Sequence, residues 1–146
     1  MATSEIAALR GTPRPLSGLA RLARLTYALF AGLLVVCVVL QVMFAGLGVL
    51  VDPSFFGLHR AFGAAIGLVM LPLVVAGLLS RHPRQLLGLT GLLLLLYVLQ
   101  YVFLYLPLAL GMPGLRALHA VNALSLFSLS VQVGRTAWRS LRAQEV

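Results

Sequence analysis

The chain has 146 residues, 61 % hydrophobic and only 10 % charged, with a formal net charge of +8. A water-soluble domain is about half apolar and a quarter charged, so this composition excludes an ordinary soluble domain. The basic excess is arginine alone and borders the apolar runs, where it meets anionic headgroups, which argues against nucleic acid as a partner. Residues 1–24 read as a basic arm, rich in glycine and proline near Gly11, Pro13, Pro15 and Gly18 and closed by Arg21 and Arg24 at the membrane edge. A first spanning helix is predicted over 25–50. Its apolar run, Tyr27 to Val51, is too long for the roughly 7–15 residues of a signal-peptide core. Asp52-Pro53 then starts a second helix over 53–79, with the carboxylate at the cap and proline at the first helical position. A polar turn from Ser80 to Arg84 leads to a third helix over 85–106, ending near Pro107. Gly111-Met112-Pro113-Gly114 turns the chain into a fourth over 113–138, and 139–146 form a basic tail.

These elements predict an all-α, integral membrane four-helix up-down bundle spanning 25–138, with the lipid bilayer as its first partner. Nine arginines fall on one side (Arg10, Arg14, Arg21, Arg24, Arg81, Arg84, Arg135, Arg139 and Arg142) and two, Arg60 and Arg116, on the other. The bias places both termini on the cytoplasmic side of the plasma membrane.

Two hairpins repeat within the chain. Val38-Val39-Leu40-Gln41-Val42-Met43-Phe44 matches Tyr97-Val98-Leu99-Gln100-Tyr101-Val102-Phe103 at an offset of 59. Pro53 and Pro113, His59 and His119, and Arg24 and Arg84 match at an offset of 60. Landmarks holding one register mark a duplicated helical hairpin with a pseudo-two-fold axis along the membrane normal.

Few side chains in the spans can do more than pack. His59 and His119 each follow a helix-opening proline by six residues, about 9 Å along the axis, so both lie at one depth. In an up-down bundle their helices are diagonal, and the imidazoles face each other across the core. That arrangement suits two axial ligands on one haem iron, with Arg60 and Arg116 available to the propionates. Gly63, one turn below His59, leaves room for a flat ligand, and Asn122 takes the corresponding place below His119. The competing reading has histidines that only hydrogen-bond across the bundle, to Gln41, Gln100 or Asn122. His82, between two arginines in the turn, is expected to be solvated. Cys37, Met43 and Met70 are expected to pack, and Tyr105 and Trp138 to sit in an interfacial belt. A proton-coupled transporter is disfavoured, because no Asp or Glu lies within a span.

The run Phe56-Gly57-Leu58-His59-Arg60-Ala61-Phe62-Gly63, with Leu118-His119-Ala120-Val121-Asn122-Ala123, resembles two known patterns. One is a family of small four-span bacterial membrane proteins, a domain of unknown function, over roughly residues 24–138. The other is one four-helix half of heme A synthase, which carries a histidine on its second and fourth helices. The latter resemblance implies that His59 and His119 are haem ligands and that Arg60 serves a propionate. Where heme A synthase has a glutamate three residues before its His-Arg, this chain has Phe56. The expectation is a b-type haem site without catalysis of its own, serving electron transfer or haem handling with a redox protein or quinone as partner. The alternative is a non-catalytic membrane subunit or scaffold.

Overall fold

In a computed structural model, residues 17–82 and 84–143 are described. Arg10, Arg14, most of the basic arm and the last three residues of the tail lie outside them. Ser17 opens α1 (Gly18–Leu50): its backbone is extended and its hydroxyl accepts the Ala20 N–H at 3.3 Å. The helix therefore begins seven residues before the expected Leu25. Small residues are the reason. Ala20 and Ala23 are buried at helical spacing, and Tyr27, Ala28, Ala31, Leu34 and Val38 continue the same stripe while Leu19 and Leu22 face outward. At 1.5 Å per residue, 33 residues make a helix of about 50 Å, well over the ~30 Å hydrocarbon core.

Asp52 acts as the predicted cap, its carboxylate accepting the Ser54 N–H at 2.7 Å, and the Ser54 hydroxyl, followed by that N–H, holds its carboxyl below the usual carboxylate range. The first turn after it is tight, with Phe55, Phe56 and Gly57 bonding three residues back, so the regular part of α2 (Phe55–Leu79) starts two residues later than expected. An interruption that the sequence reading does not contain follows at Ile66, dividing α2 into Phe55–Ala65 and Gly67–Leu79. The Tyr97 hydroxyl lies 3.3 and 3.4 Å from the carbonyls of Gly63 and Ala64, and the Val69 N–H closes a tight turn on Ile66. Pro72, inside the second half, also lacks an N–H for the ladder.

α3 (Arg84–Ala109) runs through Pro107 to a Schellman end. The Met112 N–H reaches the Pro107 carbonyl at 2.8 Å and the Gly111 N–H reaches that of Leu108 at 3.1 Å. Gly111 has φ +68°, which only glycine adopts without strain. α4 (Pro113–Arg142) begins as a 3₁₀ turn over Pro113–Ala117 and is α-helical over Leu118–Arg142. It thus extends past Trp138 into the expected tail. Arg139 and Arg142 in the last turn offset the partial negative charge of the helix end.

Each helix packs on its neighbour in sequence, and α1 closes the ring against α4, leaving α1/α3 and α2/α4 as diagonals. Tyr27, Leu34, Leu73, Leu93 and Val133 are wholly enclosed, whereas Leu22, Leu29, Leu68, Leu78 and Leu124 point outward. Polar groups are inside, including Ser80, Thr90, Asn122 and Ser130. Four helices of mean hydropathy 2.7, 2.4, 2.1 and 1.3, with this inverted surface, make the chain a multi-pass membrane protein. The hairpin repeat extends to the far end of the bundle: Ser80 and Ser140 donate to the carbonyls of Gly77 and Ala137, each at 2.7 Å.

Candidate functional site

Gln41 lies on α1 about two and a half turns before its end, opposite the second turn of α2. There its side-chain amide donates to the His59 carbonyl at 2.8 Å, while His59 Nδ1 stands 3.0 Å from the Gln41 backbone carbonyl. A carbonyl oxygen only accepts, so Nδ1 carries the ring proton and Nε2 keeps its lone pair. The second hairpin repeats the arrangement, with His119 Nδ1 3.1 Å from the Gln100 backbone carbonyl. With its amide turned so that both ends are satisfied, Gln100 donates to the His119 carbonyl at 2.9 Å and accepts from the Ala123 N–H at 3.2 Å. In that orientation the amide nitrogen also donates to His119 Nδ1 at 2.9 Å, which makes Nδ1 an acceptor there, whereas its 3.1 Å approach to the Gln100 carbonyl suits the tautomer protonated on Nδ1. Each hairpin is thus clasped by a reciprocal Gln–His pair.

The two imidazoles meet across the diagonal between α2 and α4. Their ring centroids are 6.1 Å apart and their planes cross at 75°. Two metal–imidazole bonds of about 2.0–2.1 Å, with each centroid about 1 Å behind its nitrogen, require roughly 6 Å. Ligating histidines commonly donate their second ring N–H to a backbone carbonyl, as His59 does to Gln41.

The remaining predicted residues divide. Arg60 and Arg116 are exposed and make no hydrogen bond or ion pair among the described residues. Asn122 is buried, but its amide donates to the Leu96 carbonyl at 2.8 Å, which ties α4 to α3. Gly63 does leave space, and Gln41 fills it: a Cβ there would come 2.5 Å from the Gln41 amide nitrogen. Phe56, in place of the glutamate of the resemblance, sets its ring edge-on to His59 at 6.4 Å and close over Gly48, where a Cβ would come 3.0 Å from it.

Gly63→Ala should push the Gln41 amide aside and lose its bond to His59, costing about 1 kcal/mol. In a Gln41→Ala background the same change should cost nothing, because the bond is already gone. Unfolding titrations in detergent of the four members of this cycle give the coupling directly; additive losses would separate Gly63 from the clasp.

A second polar cluster closes the opposite end, and sequence reasoning missed it. Arg24 donates to the carbonyls of Ser80 and Arg81 at 2.9 and 3.1 Å, holding Arg81 at φ +52°. His82 is 6 % exposed, its ring centroid 4.8 Å from that of Tyr27, and neither ring nitrogen has a partner among the described residues. The expectation of a solvated His82 is therefore overturned: Arg24 and Tyr27 of α1 reach over the turn and shut out water. Burial, and then the Arg24 charge, push its pKa down to about 4. The Tyr27 hydroxyl lies 2.6 Å from Thr90 Oγ1, which donates onward to the Leu86 carbonyl at 2.8 Å, so Tyr27 is the donor to Thr90.

Fold and site together define a multi-pass membrane bundle with a paired-histidine centre. Residues 41–106 match a family of unknown function, DUF6220. The match takes in the first Gln–His clasp and Gln100, and stops before His119. No curated protein and no solved structure matches the chain, so the similarity to heme A synthase finds no counterpart in these comparisons.

Proposed function

We propose that the bundle binds one b-type haem between His59 and His119 and serves electron transfer or haem handling rather than catalysis. The observation that carries this reading is the 6.1 Å spacing of two imidazoles whose Nδ1 atoms are both anchored on backbone carbonyls. No group of three or more His, Cys, Asp or Glu comes together among the described residues, so protein side chains alone do not complete a coordination shell. A macrocycle supplying four nitrogens suits two protein ligands, and when bound it supplies a one-electron iron couple. The chain's own part is to hold both imidazoles at one depth, each with its Nδ1 against a backbone carbonyl. Arg60 and Arg116 would meet the propionates near the membrane surface. A redox protein or a quinone would exchange the electron, and the arginine bias places this centre towards the outer face, with both termini cytoplasmic.

Absorption spectra of the purified protein, oxidised and then dithionite-reduced, test the reading. A Soret band with sharp α and β bands on reduction is expected, lost in His59→Ala and in His119→Ala. A colourless protein that also fails to take up added hemin would sink it. That outcome would favour the second reading, supported by the reciprocal Gln–His bonds, in which the clasps only pin helices within a membrane subunit or scaffold.

A further inference from the structure

We propose that the cleft between α1 and the end of α4 binds an anionic phospholipid, its phosphate on Arg135, Arg139 and Arg142 and one acyl chain against Gly32, Val35 and Val131. The cleft measures about 420 Å³, enough for a headgroup and the upper part of one chain. Its depth comes from two missing side chains. A Cβ on Gly32 would stand 3.6 Å from the Trp138 indole nitrogen, and one on Gly134 would stand 3.7 Å from the Ala31 carbonyl oxygen. The polarity of the lining changes along its length. From Val131 to Arg142 the helix advances about 16 Å, passing from apolar walls to three arginines at i, i+4 and i+7 on one face.

Charge decides the occupant. Among the described residues the only carboxylate is Asp52, at the opposite end of the bundle, and none of the three guanidiniums makes a hydrogen bond or ion pair there. The indole N–H of Trp138 is likewise without an acceptor among those residues. Three cations and an indole donor above an apolar slot match a phosphate joined to acyl chains better than either part alone. The inference is independent of haem binding.

Trp138 is the sole tryptophan of the chain, so its fluorescence reports on this cleft alone. The protein is reconstituted in phosphatidylcholine vesicles containing phosphatidylglycerol, with brominated acyl chains on one lipid or the other. Brominated phosphatidylglycerol is expected to quench Trp138 with a preference of roughly fivefold or more over its share of the lipid. The preference should vanish in Arg135→Gln/Arg139→Gln/Arg142→Gln and survive in Arg81→Gln/Arg84→Gln, which removes charge from the same end of the bundle. Quenching in proportion to lipid composition would overturn the proposal. So would a preference that persists in the triple variant or is lost equally in the control, since either means diffuse surface attraction rather than a site.

Discussion

Tyr27→Ala is expected to be the most damaging single truncation, lowering stability in detergent or bicelles by about 2–3 kcal/mol. Tyr27 is fully enclosed, and its ring fills the space above Gly77, where a Cβ would come 3.2 Å from it. In water, truncating a buried aromatic costs about 3–5 kcal/mol, part of it the lost transfer from water. In a bilayer the unfolded helices stay in lipid, so the transfer part largely falls away and the cavity remains. Tyr27→Phe keeps the ring and removes only the donor to Thr90, so it should cost about 0.6–1 kcal/mol. Chemical unfolding of both variants checks the order. Equal losses would mean that the hydroxyl, not the ring, holds α1 against α3.

Acidification should weaken the bundle through His82. Its folded pKa, about 4, lies below the ordinary 6.5, because a charged imidazole there would be both desolvated and beside the Arg24 cation. Between those two values the unfolded chain binds the proton and the folded one does not, so stability rises with pH across that window. The contribution is fully present above about pH 6.5 and is lost as the pH falls towards 4, a change of about 2–3 kcal/mol. His82→Phe should flatten this dependence. It should also raise stability near neutrality by about 1 kcal/mol, since two ring nitrogens without a partner among the described residues leave the interior and an aromatic face still meets Tyr27. Unfolding midpoints measured from pH 4 to pH 8 in both proteins decide it. An unchanged slope in the variant would assign the acid sensitivity to other groups.

The helices were readable because apolar length is a composition signal, and the turns because Asp52-Pro53 and Gly111 carry their own backbone chemistry. The histidine pair was readable for a different reason: the repeat fixes relative depth without any knowledge of contacts. What local pattern could not convey was which side chain enters a given space. Gly63 reads equally well as a wall for a ligand or as room for a glutamine, and only the approach of α1 shows that Gln41 takes it. His82 misled more directly, since flanking arginines suggest water, while the groups that cover it come from α1, more than fifty residues earlier. The break at Ile66 depends in the same way on a hydroxyl from α3. The clasps differ at the matched positions Gly63 and Ala123: the Gln41 amide nitrogen lies against Gly63, whereas the Gln100 amide is turned to accept the Ala123 N–H.

The clasps also bear on the order of assembly. Gln41 and His59 are 18 residues apart, and Gln100 and His119 are 19 apart, so each bond pair closes within a single hairpin. Contacts so close along the chain need little loop closure. The first hairpin can lock its histidine tautomer as soon as both of its helices are in the bilayer, before the second has left the ribosome. Only the meeting of the two rings and the α1–α4 seam wait for the full chain. Each clasp therefore needs only the two helices of its own hairpin, whereas the pairing of the two rings needs both hairpins.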